Sequence, residues 1–136
     1  MRAQLGVLVA GFGLLISAAP VAAHHSFAAE YDAAKPVTLK GVVTKLEWTN
    51  PHARFYVDVK DEKGVVTNWN LELASPNVLA RNGWTRKSLK PGDEITVQGS
   101  LAKDGSKMAN ARAVTLADGK KVFAGSSGGD GGPPSQ

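Results

Sequence analysis

LASPNVLARNGWTRKSLKPGD, residues 73–93, is the stretch that decides the fold. Ser75 stands where an N-cap belongs, its hydroxyl accepting from a backbone N–H of the first turn, and Pro76 takes the first helical position, where a missing N–H costs nothing. The helix predicted from these signals spans Pro76 to Arg81 and stops at Asn82-Gly83, where glycine supplies a left-handed cap. Val78 and Leu79 then face the core, with Trp84 just beyond. Lys90-Pro91-Gly92-Asp93 makes a turn, so the helix is a short insertion between two extended regions.

Upstream of it, Val65 to Leu73 (VVTNWNLEL) alternates, placing Val65, Thr67, Trp69, Leu71 and Leu73 inward. Asp61 to Gly64 is a hairpin turn, and His52 to Lys60 (HARFYVDVK) sets Phe55, Val57 and Val59 on one face against His52, Arg54, Tyr56 and Asp58 on the other. Val37 to Trp48 (VTLKGVVTKLEW) is apolar at Val37 and Leu39, then at Val42, Leu46 and Trp48. That change of phase around Gly41 predicts a bulge in a coiled strand, and Asn50-Pro51 ends the run. Downstream, Glu94 to Leu101 turns Ile95, Val97, Gly99 and Leu101 inward, a fifth strand covers Lys107 to Leu116, and Asp118-Gly119 leads to a short last strand, Lys120 to Phe123. Three strands, a helix and two strands is the order of the OB-fold, an all-β, partly open five-stranded Greek-key barrel that binds ligands on strands two and three and the one-two and four-five loops. A β-sandwich would ask for about seven strands and no central helix, and a plain meander has no place for the helix either.

The chain of 136 residues is one domain's worth, and its 43% hydrophobic and 21% charged residues are those of a globular unit with a core. Sixteen Lys and Arg against 12 Asp and Glu, spread along the chain, give a mildly basic balance that argues against a nucleic-acid partner. The absence of cysteine excludes disulfides, thiol nucleophiles and cysteine-ligated metal.

Met1-Arg2, the apolar run Leu5 to Ala18 and the small residues of Ala19 to Ala23 read as a secretory signal peptide over residues 1–23, the alternative being an uncleaved membrane anchor. The run is shorter than the roughly 20 residues of a membrane-spanning helix, so no stable membrane insertion is expected after cleavage. Val21 and Ala23 direct the cut to the Ala23–His24 bond, and the expected destination is the periplasm. The expected organisation is then an N-terminal extension over 24–36, the barrel over 37–124 and a disordered tail over 125–136, rich in Gly, Ser and Pro.

All three histidines fall at candidate sites: His24 and His25 at the expected mature start, and His52 in the loop after strand one. An N-terminal histidine chelates through its α-amine and its own ring nitrogen, and a second imidazole completes a T-shaped set of three nitrogens of the kind copper(II) favours. His24 and His52 are the expected ligands, with His25 as an extra ligand, a group behind the first shell, or neither. The alternatives are a plain polar start with His52 as a turn residue bonded to the backbone, or zinc, which here lacks an H-E-x-x-H helix and a nearby general base. Arg54 and Tyr56, with Asn68 and Asn70 on the next strand, are the candidate ligand face for a peptide, glycan or partner protein. Neither paired carboxylates of a glycosidase nor a G-x-S-x-G, P-loop or dinucleotide motif occurs.

The segments HHSFAAEYD, VTLKGVVTKLEWTNPHARFYVDV, LASPNVLARNGWTRKSLKPGD and EITVQG together resemble a family of small exported bacterial proteins known only as a domain of unknown function, HHS combined with NPH being the most specific part. The resemblance covers His24 to Phe123 and implies a small periplasmic OB-like barrel without implying an activity. The histidine arrangement is separately analogous to unrelated copper proteins that begin with histidine. Three functions are thus set against one another: a periplasmic copper-binding module, a metal-independent interaction module, and an oxidative copper enzyme, which the small barrel favours least for want of a substrate platform.

Overall fold

The computed structural model describes residues 27–125. The expected signal peptide, His24 and His25, and all of the expected tail beyond Gly125 lie outside the described residues. After a helical turn at 27–30, the chain forms β1 (Tyr31–Glu47), β2 (Arg54–Lys60), β3 (Val66–Glu72), the helix α1 (Pro76–Arg81), β4 (Glu94–Ala102), β5 (Met108–Thr115) and β6 (Lys121–Phe123). The sheet runs β3-β2-β1-β4-β5-β6, and a parallel pairing of β3 with β5, Asn70 to Glu72 against Met108 to Asn110, closes it on itself. Because β5 joins β3 through its first residues and β6 through Ala113 to Thr115, five strands make the OB-like barrel and β6 is a sixth strand beside it. Among the described residues no helix is long and apolar enough to cross a membrane.

The helix forms where the caps place it. Ser75 Oγ accepts from the Val78 N–H at 3.3 Å, Gly83 takes φ +88° as the chain leaves the helix, and Leu79 is buried in the core. Trp84 is buried behind it, and its indole N–H donates to the Phe123 carbonyl at 2.7 Å, tying the helix exit to β6. Phe55, Val57, Leu71, Leu73, Ile95 and Val97 form the core with Leu39 and Val43, as the alternation requires.

Four expectations need correction. β1 starts at Tyr31, six residues ahead of Val37, because Tyr31 pairs with Ala102 and is only 2% exposed. Its phase slip lies between Val43 and Lys45, past Gly41, so Val43 points inward and Val42 is 38% exposed. Gly41 serves a different purpose: a Cβ there would sit 2.2 Å from the Asp58 carbonyl oxygen, so its lack of a side chain lets β2 cross closely. Val65 is 57% exposed at the hairpin tip, where the barrel wall has no second layer to cover it. Trp69 and Val59 are only half-buried, the Trp69 ring being covered by the Lys107 ammonium at 5.2 Å from its centroid.

Candidate functional site

The loop from Trp48 to Ala53 and the end of β3 bring His52 against the strand backbone. Its flanking residue is pinned twice, Ala53 N–H donating to the Ala74 carbonyl at 3.1 Å and Leu73 N–H donating to the Ala53 carbonyl at 2.8 Å. The His52 ring is half-buried, with Nδ1 at 3.0 Å from the Leu73 carbonyl. A carbonyl can only accept, so Nδ1 carries the hydrogen, and in the neutral ring the lone pair lies on Nε2. A ring held this way by a backbone carbonyl is fixed in orientation and tautomer.

Next to the ring lies Glu72. Alternation points it out of the barrel, yet it is only 7% exposed, because side chains from three other strands close over it. Tyr31 Oη donates to Oε2 at 3.0 Å, Arg54 Nη2 donates to the same oxygen at 2.8 Å, and Asn110 Nδ2 donates to Oε1 at 3.4 Å. His52 Nδ1 stands 3.9 Å from Oε1, close enough for electrostatic attraction but beyond a hydrogen bond. A buried carboxylate is tolerated only when paired and hydrogen-bonded, and here it is both.

The cluster shifts its members' proton equilibria. Burial first, and then the Glu72 carboxylate, hold the Tyr31 phenol far above its ordinary range. Burial works against the Arg54 guanidinium, but the charge of Glu72 and the neighbouring tyrosines outweigh it and raise its pKa. A cleft of about 570 Å³ opens beside these groups, lined among others by Glu30, Tyr31, Arg54, Lys103 and Met108. At its rim the Lys103 ammonium donates to the Ala28 carbonyl, and Lys103 N–H donates to the Glu30 carbonyl at 2.8 Å, so Lys103 holds the chain's entry into β1 at two points.

The expected ligand face of β2 and β3 is assembled, and its members engage one another. Arg54 Nη1 donates to Asn70 Oδ1 at 3.2 Å, and Asn68 Nδ2 donates to Asp58 Oδ1 at 2.8 Å and to Thr44 Oγ1 at 3.2 Å. Tyr56 Oη donates to Glu47 at 3.3 Å, while Lys45 bonds Glu47 at 2.6 Å and lies over the Tyr56 ring. The structure therefore gathers Arg54, Tyr56, Asn68 and Asn70 on one surface and places His52 beside its Arg54 end.

Among the described residues no group of three or more His, Asp and Glu is placed to hold a metal ion. The members of this cluster that pattern reading missed are Tyr31, Glu72 and Asn110. Glu72 did carry a signal, since it is the only charged residue between Lys63 and Arg81 and sits in the apolar run Leu71 to Ala74.

The profile of a family of unknown function (DUF6152) matches residues 12–111. No curated protein matches the chain. Among solved structures, the mitochondrial single-stranded DNA binding protein Rim1 of S. cerevisiae is similar with a TM-score of 0.48 at 8% identity, over 61% of this chain and 93% of that one.

Proposed function

The chain belongs to the family of unknown function DUF6152, and we propose that it is an exported β-barrel that binds one copper(II) ion in the periplasm. The ligands are the His24 amine, the His24 ring and the His52 ring, with His25 adjacent. Carrying the reading is one observation: Tyr31 and His52 meet at opposite oxygens of the Glu72 carboxylate, at 3.0 and 3.9 Å. The arm from His24 thus starts at the site itself, seven residues away, a length of roughly 25 Å if extended and less with the helical turn at 27–30. A return across the whole barrel is not needed. The donor set suits the ion, since an amine and two neutral imidazoles are the nitrogen ligands copper(II) prefers, and the Nδ1–H to carbonyl bond aims the His52 ring.

The test is a copper titration of mature protein beginning at His24, followed by electron paramagnetic resonance. One equivalent should bind, and acidification should weaken it because the ligands bind copper only after losing protons. Adding one residue ahead of His24, or replacing His52→Ala, should weaken binding sharply with the fold intact. Equal affinity and an unchanged spectrum in both variants would remove the copper site and leave the metal-independent module, with Arg54, Tyr56, Asn68 and Asn70 as its face, as the account to pursue.

A further inference from the structure

The cleft of about 570 Å³ beside the start of β1 falls within the range of roughly 300–1,000 Å³ that small-molecule sites occupy. Tyr31 is the most buried of its lining residues; Ala29, Ala102 and Met108 supply apolar wall, and Arg54 and Lys103 supply positive charge. Both bases have donors left over. Arg54 gives one N–H to Asn70 Oδ1 and one to Glu72 Oε2, and the Tyr31 hydroxyl beside it engages at most one more, so part of the planar guanidinium fork is open to a ligand. The Lys103 ammonium gives one N–H to the Ala28 carbonyl, and no acid among the described residues forms an ion pair with it.

The charges also limit what the cleft can take. Glu72 already balances Arg54, and Lys45 balances Glu47, so the uncompensated cation is Lys103 alone of these. At the rim stand the exposed Glu30 and Asp104, the latter accepting from the Ser106 N–H at 2.9 Å, and both carboxylates repel a multiply charged anion. A guanidinium fork matches the two oxygens of a carboxylate, and the apolar wall suits a hydrocarbon body.

We propose that this cleft binds a small aliphatic monocarboxylate, with the carboxylate held by Arg54 and Lys103 and the chain lying on Ala29, Ala102 and Met108. The site uses none of the copper ligands and stands or falls without the copper reading.

The test is a nuclear magnetic resonance titration of isotope-labelled protein beginning at His24, with hexanoate as probe and with hexanamide and inorganic phosphate as its comparisons. Hexanoate should produce saturable amide shifts centred on Tyr31, Ala102 and Met108. Hexanamide keeps the chain and lacks the charge, and it should bind about 10-fold more weakly or worse, the scale of losing charge-assisted hydrogen bonds. Phosphate should also bind more weakly than hexanoate. Lys103→Gln, at an exposed position, should weaken hexanoate about 5-fold, the upper scale of an exposed charge pair. Lys87→Gln removes the same charge from an exposed position outside the cleft and should leave the affinity unchanged. No saturable shift with hexanoate, or shifts centred elsewhere, would overturn the proposal. Equal affinity for hexanamide would reduce the site to apolar partition, and equal affinity for phosphate, or an equal loss in Lys87→Gln, would reduce it to general attraction of anions; each of these also overturns it.

Discussion

The two faces of β3 between Leu71 and Leu73 are both buried, by opposite means. Leu71 and Leu73 turn inward and lose all exposure among Phe55, Val57 and the other apolar residues of the core. Glu72 turns outward and is covered almost as fully, by a tyrosine, an arginine and an asparagine that satisfy its oxygens. Apolar burial is non-directional and tolerates any partner of suitable shape. Polar burial is specific, since each donor must arrive at the right oxygen. The inner face therefore supplies stability, and the outer one supplies a defined arrangement of side chains at the place where His52 and the entering chain meet.

The largest expected effect breaks the inner face. Val57 is fully buried, so Val57→Asp places an unpaired charge in an apolar core at a cost of several kcal/mol, against a total stability of about 5–15 kcal/mol. The variant should lack a cooperative thermal transition by circular dichroism; a soluble, cooperatively folding protein would mean that the inner face is misassigned.

An intermediate effect is expected on the outer face. Glu72→Ala takes the shared acceptor from Arg54 Nη2 and the Tyr31 hydroxyl, and breaking such a pair costs about 2–3 kcal/mol, toward the low end because Arg54 keeps its bond to Asn70 and some contact with solvent. Denaturant unfolding should show a lowered midpoint with cooperativity retained. A loss below about 0.5 kcal/mol, the range of ordinary surface substitutions, would show that the polar cluster contributes nothing specific.

The smallest effect sharpens the comparison by pH. Tyr31→Phe should cost about 1 kcal/mol at neutral pH, the net worth of one hydrogen bond. Because the folded state holds the Tyr31 phenol above its ordinary pKa, its proton is retained in the fold after the unfolded chain has released it. The stability it contributes is complete below about pH 10 and declines as pH rises beyond that. Wild type should thus lose its advantage over Tyr31→Phe between neutral pH and about pH 11; parallel curves across that range would place the phenol outside the buried cluster.

The order of elements was legible because it rests on neighbours along the chain. Ser75-Pro76 and Asn82-Gly83 bound the helix at Pro76 to Arg81, and the alternation of Phe55, Val57, Ile95 and Val97 named the inward register correctly. The phase slip of β1 was visible as a slip but misplaced, since Gly41 marks the close crossing of β2 and the register shift follows Val43. Tyr31 went unread because the residues after it show no alternation; what holds it in the sheet is its own pairing with Ala102 of β4, across an irregularity that ends where Pro36 resumes the ladder opposite Ser100. His52, Arg54, Tyr56, Asn68 and Asn70 were found as residues, while the acid that organises their Arg54 end was not.

By itself, then, the sequence determined the succession of strands, the short helix between β3 and β4, the apolar faces and the membership of the polar face, all of which follow from periodicity and caps within a few residues. Only the tertiary structure decided that Glu72 is buried, that Tyr31 begins the barrel, and that the entering chain and His52 share one carboxylate. The physical reason is separation along the chain. Tyr31 lies 41 residues from Glu72 and Asn110 lies 38 from it, and a buried charge is stable only when such distant donors converge on it, which no local pattern encodes.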